Sequence, residues 1–509
     1  MSCRATKFVF ILLVASLTAC HAVRSNPNEL TVMQTEPPRS MDPADHTATY
    51  TSAVLDPMYE GLTRFNQQLE IVPALATEWQ ASADGLTWTF KLRKNVIFHD
   101  RTKFDADAVI ASFERMLDPR RALAGASLVR SLVAAVHAPD TQTVRFTLNA
   151  PYAAFPSLLA VTEIVSPAAD KAGILSRHAV GTGPYKFVEW NTGEYVIETR
   201  NDHYWGGKPA MNQLKWTWTS EPALLNMAVQ SGEADLVSPL PPIFAQALGR
   251  NGKIRLLQGR SSAVFWIALN TKSKPLNDVR VRQALNYATD RRSLVDSLLR
   301  GYGTPANSPL APADFGYSAD VKGYTYDLAK ARALLANAGY PSGFPLSIAV
   351  QEAEVNIVQA LQGMWAKAGI DLTIRQMETG VFSQAVFGNP EQKAQAGIQS
   401  VFASWTAANL DADYQLGPLY RTKSWSPVGA NLGFYSNPKL DGLLDRASAE
   451  LDTAKRRDLY ADAQQIINND SPHVTLYYSK DLAAERKGVS GIWIFPGGRL
   501  QAARASKQP

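Results

Sequence analysis

The segment Ser404–Leu416, reading SWTAANLDADYQL, brings a hydroxyl, a large aromatic ring and the carboxylates of Asp411 and Asp413 close together in the chain. Trp405 follows the β-prone run Ile398–Phe402, and loops at strand ends commonly line ligand crevices in α/β proteins. Carboxylates in such a loop have two uses. They can pair with the cation of a ligand, or they can cap the turn after Leu410 by accepting its free N–H groups. No pattern for covalent chemistry accompanies them: Gly-x-Ser-x-Gly, His-Glu-x-x-His and P-loop sequences are missing. Gly181-Thr182-Gly183 lacks the third glycine and the strand–helix context of a dinucleotide fingerprint, so it reads as a turn. His46, His99, His178, His203 and His473 are scattered without metal-ligand spacing, so neither metal nor cofactor is expected.

The elements that must position such a site are legible from periodicity. Thr87–Leu92 alternates polar and apolar residues, as a half-buried strand does. Asp105 stands at a helix N-cap, Val109, Ile110, Phe113, Met116 and Leu117 recur at helical spacing, and Asp118-Pro119 ends the helix. Glu29–Gln34 and the run Val264–Asn270 read as strands. Asp290, Asp327 and Asp452 each open a helix, and Gly301 and Gly339 supply stops. Strands around a helix recur at 346–375, a further helix is expected over 440–451, and Val474–Tyr478 forms a last strand. Alternating strands and helices point to α/β lobes. A chain of 509 residues exceeds what one compact core holds, so at least two lobes are expected, wound from one chain without a low-complexity linker.

Residues 1–19 show a basic start and the apolar run Phe8–Leu17, too short to span a bilayer and therefore an export signal. Leu17-Thr18-Ala19-Cys20 has the form of a bacterial lipobox, with Cys20 the residue that would be lipidated; an ordinary signal peptide cut a few residues later is the alternative. Cys3 and Cys20 are the only two cysteines, so the mature chain has no disulfide to form. The net charge of +5 falls by two when Arg4 and Lys7 leave with the leader. So mild and dispersed an excess argues against nucleic acid as a partner.

The block Leu86–Pro119, the turn Gly181-Thr182-Gly183-Pro184-Tyr185, and Leu269-Asn270 with Pro275–Ala288 resemble the extracytoplasmic solute-binding proteins of peptide/nickel-type ABC importers. The resemblance implies a bilobal periplasmic-binding-protein fold (type II, large peptide-binding subclass). Lobe I would take residues 28–262, with an inserted subdomain at about 53–178, and the return at 485–509. Lobe II would take 263–484, and crossings near Ala263 and Ala484 would form the hinge. It also implies a monomeric, non-catalytic receptor that delivers its ligand to permease subunits driven by ATPases. An exported hydrolase or a structural lipoprotein is the rival from another class.

In dipeptide binders of this family an Asp three residues after the matching Trp pairs with the ligand's α-ammonium; here that position is Ala408. Asp411 then becomes the candidate to supply the charge. The runs Gly417–Tyr420, Ser424–Pro427, Asn431–Asn437 and Gly491–Pro496 are similar to the glutathione-binding branch. Glutathione carries its amine on a γ-linked residue, displaced from an ordinary N-terminus, and two carboxylates that need cationic or N–H partners. The resemblance therefore implies Arg39, Ser404, Trp405, Asp411, Phe434 and Tyr435 as ligand contacts, with other short peptides, nickel complexes or heme as alternative ligands.

Overall fold

The computed structural model describes residues 26–508. The expected leader and Cys20 lie outside the described residues.

Lobe I is built on a seven-stranded sheet in the order Ile254–Gln258, Leu482–Arg486, Leu236–Val237, Glu29–Gln34, Gln213–Trp218, Tyr195–Arg200, Tyr185–Asn191. Glu29–Gln34 runs parallel to both of its neighbours. Its alternation buries Leu30 and Val32 in one core and turns Met33 into a second core on the opposite face, against Leu225 and Val229. A sheet covered on both faces explains why Met33 is buried on the face opposite Leu30 and Val32.

A four-stranded antiparallel sheet, Ala76–Ala81, Thr87–Leu92, Thr143–Leu148 and Val133–Asp140, forms the inserted subdomain. The helix Ala106–Leu117 lies on it, with Asp105 accepting from the Ala108 amide at 3.3 Å as its N-cap. Phe113 meets Phe146 edge-on at 4.8 Å between centroids, and Phe146 meets Phe90 at 5.7 Å. Such aromatic pairs add about 0.5–1.5 kcal/mol beyond the area they bury. The insert is narrower than the expected 53–178. Val54, Leu55, Met58 and Tyr59 pack with the lobe I core, as do Val165, Leu175 and Ala179, whereas the subdomain core runs mainly from Leu62 to Ile164. Buried Arg115 ties the insert to the lobe: it pairs with Asp42, and its Nε contacts Asp170 Oδ1 at 2.9 Å.

The turn Gly181–Tyr185 shows why glycines are needed there. A Cβ on Gly181 would lie 2.2 Å from the Met58 carbonyl oxygen, and one on Gly183 2.4 Å from that of Pro57. Two chain segments approach too closely for any side chain, which is a packing requirement rather than a phosphate cradle.

Lobe II carries a six-stranded mixed sheet in the order Gly303–Pro305, His473–Ser479, Ala263–Leu269, Ser400–Thr406, Phe344–Gln351, Ile370–Met377, with a helical core on each face. Asp290, Asp327 and Asp452 cap their helices by accepting from the amides of Ser293, Lys330 and Ala454.

The chain passes between the two large sheets twice. Residues 259–262 join Ile254–Gln258 of lobe I to Ala263–Leu269 of lobe II, and residues 480–481 join His473–Ser479 back to Leu482–Arg486. The Gly259 amide donates to the Asp481 carbonyl at 2.8 Å, so the crossings lie side by side. Ala484 is already inside the lobe I strand, so the second crossing falls before it. A separate contact joins the insert to lobe II: the Ala153 amide donates to the Ser448 carbonyl at 2.8 Å, and Asn409 Nδ2 donates to the Tyr152 hydroxyl at 3.2 Å. No helix among the described residues is long and apolar enough to cross a membrane.

Candidate functional site between the lobes

The strand expected at Ile398–Phe402 extends over Ser400–Thr406, because it pairs along its whole length with Ala263–Leu269, ending at Ala263 opposite Thr406. Ser404 and Trp405 therefore stand on the strand itself, at the end beside the first crossing. Ser404 is exposed and Trp405 partly so. The indole Nε1–H of Trp405 donates to the Tyr414 carbonyl at 3.2 Å, which fixes the ring at the edge of the lobe II core.

Asp411 is a correction. It is buried, and Arg456 grips both of its oxygens, NH1 to Oδ2 and NH2 to Oδ1, each at 2.7 Å. Its Oδ1 also accepts from the Asp413 amide at 3.0 Å, capping the helix Ala412–Tyr420. Buried, with its charge neutralised by a bidentate guanidinium and three hydrogen bonds made, this carboxylate serves the lobe II framework rather than a ligand's ammonium. Asp413 pairs with Arg421 NH2 at 3.0 Å.

Phe434 and Tyr435 are also corrections, because both are buried. They form a tight turn in which Asn431 Nδ2 donates to the Tyr435 carbonyl at 2.9 Å and Phe434 takes a φ of 54°. Lys393 Nζ lies 4.7 Å from the Phe434 ring centroid and donates to the Leu432 carbonyl at 2.8 Å. The Tyr435 hydroxyl donates to Asp470 Oδ2 at 2.5 Å. Tyr435 belongs to the lobe II core, and Phe434 packs edge-on against Trp425 at 5.8 Å between centroids.

Arg39 is exposed in the loop after the first strand. Its amide donates to Thr51 Oγ1 at 3.0 Å, and its guanidinium carbon lies 5.6 Å from the Tyr50 ring centroid. It forms no ion pair among the described residues.

Sequence reasoning missed a cluster on lobe I. Near the C-terminus Trp493–Phe495 and Arg499–Gln501 form a hairpin around Pro496-Gly497-Gly498, with both glycines at positive φ. The Gly497 amide donates to Asp481 Oδ2 at 3.0 Å, and a Cβ on Gly497 would lie 3.0 Å from Thr406 Cγ2. The hairpin thus abuts the second crossing and the strand end that carries Trp405. Arg499, two residues on, lies with its guanidinium carbon 4.5 Å from the Phe495 ring centroid. Its Nε is 3.1 Å from Asp56 Oδ2, but not in line for a hydrogen bond, so we read the contact as an ion pair alone. Gln501 Nε2 donates to the same Asp56 oxygen.

Three more groups complete this cluster. Burial pushes the Glu163 carboxyl up to about 7 against the pull of Arg499, with Asp56 and Asp42 adding to the rise. No other residue hydrogen-bonds the Glu163 side chain among those described, though its own backbone amide favours the ionised form. Burial raises the Asp56 carboxyl too, opposed by Arg499 and Gln501. Burial lowers His46 to about 4, with Arg499 and Arg39 adding to the fall, and its Nδ1 is buried without a hydrogen-bond partner. The Gly-Gly hairpin turn between short apolar runs was the only local signal for any of this. Among the described residues no three His, Cys, Asp or Glu side chains come together as a metal-binding group.

Two sheet-based lobes joined by paired crossings, with partner-poor charged groups beside those crossings, define a clamshell solute receptor. The chain belongs to the bacterial extracellular solute-binding proteins, family 5, whose model matches residues 70–427. It is similar to the glutathione-binding protein GsiB of Escherichia coli O1:K1 / APEC, at 34% identity over 465 residues, 90% of each chain. Its fold matches that of HbpA2 from Haemophilus parasuis with a TM-score of 0.85 and 29% identity, covering 95% of this chain and 100% of the other. The periplasmic binding protein DppA from Helicobacter pylori, solved in complex with the peptide STSA, matches with a TM-score of 0.77 and 30% identity over 94% and 98% of the two chains. The family is one of binding proteins, not enzymes, and the bilobal α/β architecture is shared with these structures.

Proposed function

We propose that this protein captures glutathione, or a short peptide of similar chemistry, between its lobes and presents it to the permease and ATPase subunits of an ABC importer. The observation that carries the reading is the pair of adjacent crossings, with Trp405 and Ser404 on one side and the Arg499 cluster on the other. A ligand touching both walls gains its full set of contacts only when the lobes close, and that difference is what drives closure. Arg39, Ser404 and Trp405 are the contacts expected from the sequence that remain accessible. The similarity to a glutathione-binding protein over nearly the whole chain supports the ligand, as does Ala408, which removes the acid that would hold an ordinary peptide N-terminus. In this reading Cys20 carries a lipid anchor, and the mature receptor works as a monomer in the periplasm.

The test is a thermal-shift and calorimetric screen of the mature chain with glutathione, its disulfide, di- and tripeptides, and nickel. A ligand present at a hundred times its Kd stabilises by about 2.7 kcal/mol. Glutathione binding near micromolar, about −8 kcal/mol, is expected. Selective binding of ordinary dipeptides or nickel, with glutathione inert, contradicts the reading.

A further inference from the structure

The insert reaches lobe II only a few residues after Trp405, and where it does so bears on the size of the ligand. The segment following Trp405 is touched from the other side at two points. At Thr406 the lobe I hairpin is so close that a Cβ on Gly497 would lie 3.0 Å from Thr406 Cγ2. Three residues on, Asn409 Nδ2 donates to the Tyr152 hydroxyl of the insert at 3.2 Å. Tyr152 is 2% exposed and Asn409 1%, so this second contact is closed to solvent. Both of its sides are anchored. The Ala153 amide donates to the Ser448 carbonyl at 2.8 Å, in the last turn of the helix Pro438–Ala449. Carbonyls there lack an intrahelical partner, and the insert supplies one. Asn409 Oδ1 accepts from the Asp411 amide at 3.3 Å, and Arg456 fixes Asp411 in turn.

Between the two contacts lie Ala407, which is buried, and Ala408, which is exposed. Ala408 therefore faces a slot with the hairpin at one end and the insert at the other. Three steps of fully extended chain span at most about 11 Å, and this chain turns at Ala408-Asn409, so the slot is no longer than that. An extended peptide of three residues is about 10 Å long.

We infer that the Tyr152–Asn409 contact is a stop that sets ligand length, admitting three residues or fewer and turning away longer peptides. This rests on the peptide-receptor reading above and deepens it. A ligand lying against Ala408 has the crossings at one end and the Tyr152 ring at the other. Residues added at the end nearer the insert have no room while the contact is made. Displacing it breaks the Asn409–Tyr152 and Ala153–Ser448 bonds together, and buried polar groups left without partners are costly. The limit comes from contacts within the protein, so it holds whatever charges the ligand carries.

Calorimetry of the mature chain with a length series tests this. The ligands are glutathione, glutathione lengthened by two or three alanines at its glycine or at its amine, trialanine and hexaalanine. At one end of glutathione or the other, the added residues should weaken binding at least tenfold. Tyr152→Ala should recover at least tenfold of that lengthened-to-plain ratio, and Asn409→Gly should move it the same way from lobe II. A cost arising only from a displaced end charge responds to neither variant, so a ratio unchanged in both overturns the stop. The wild-type series needs no variant, so one that fails to fold leaves the test intact. Lengthened glutathione bound within threefold of the parent at both ends overturns the inference while the proposed function stands. Glutathione inert, with trialanine bound at least tenfold tighter than hexaalanine, overturns the ligand proposed above and leaves the stop standing. No binding by any compound, or glutathione inert with hexaalanine as tight as trialanine, overturns both.

Discussion

Lobe II and lobe I each hold an acid, an arginine and aromatic rings near the inter-lobe region, and they use them in opposite ways. In lobe II, Arg456 takes both oxygens of Asp411, lies 5.1 Å from the Tyr460 ring centroid, and is almost fully buried. In lobe I, Arg499 has one off-axis contact to Asp56, and no other side chain hydrogen-bonds Glu163 among the described residues. A saturated pair is scaffold, because its charges are already neutralised and its hydrogen bonds are made. An unsaturated pair costs stability and is retained where something else completes it. The same residue types are thus fully paired in one lobe and only partly paired in the other.

That comparison can be broken at either end. Asp411→Ala leaves the Arg456 guanidinium buried without its counter-charge, and removal of one partner of a buried pair costs about 3–5 kcal/mol. Urea unfolding should show this loss in the unliganded protein. A loss below about 1 kcal/mol would mean that the pair is not scaffold.

Glu163→Gln is expected to act in the other direction. The folded carboxyl lies near 7, above its usual 4.5, so its ionisation penalty grows as pH rises through that interval and is complete above it. At pH 8 the variant should be more stable than wild type by about 2–3 kcal/mol, and at pH 4 the two should be nearly equal. Unliganded midpoints measured at both pH values check this; a variant less stable at pH 8 would show that Glu163 is part of the framework.

Trp405→Ala tests the opposite wall. Loss of a large aromatic contact should weaken glutathione binding by about 1.5–2.5 kcal/mol, roughly tenfold to seventyfold. Calorimetry reads it directly. The smallest effect is expected from Tyr152→Phe, which removes the hydroxyl that Asn409 contacts between the insert and lobe II. One hydrogen bond of this kind is worth about 1 kcal/mol, visible as a small change in unfolding midpoint.

The difference between the lobes also marks what the sequence could reveal. Helix caps such as Asp105, Asp290, Asp327 and Asp452 are local, since each accepts from an amide two or three residues on, and periodicity located them. The strand after Ile398 was legible, but its extension through Trp405 depends on pairing with Ala263–Leu269, which local pattern does not carry. Asp411 reads as either a ligand contact or a helix cap; the cap is local, but its pairing with Arg456, 45 positions away, is not. Phe434 and Tyr435 read as ligand-stacking rings, yet a turn pinned by Asn431 buries them. The Arg499 cluster draws on four separate segments, around His46, Asp56, Glu163 and Arg499, and no spacing rule joins them. Family resemblance located the architecture, whereas the unsaturated atoms emerged only from the packed chain.

The most direct test is a crystal structure of the mature protein grown with glutathione. The lobes are expected closed on the tripeptide, with Ser404 and Trp405 against it from lobe II and the Trp493–Gln501 hairpin region beside it from lobe I. Glutathione bound outside the inter-lobe cleft, or held by one lobe alone with the lobes open, would contradict this.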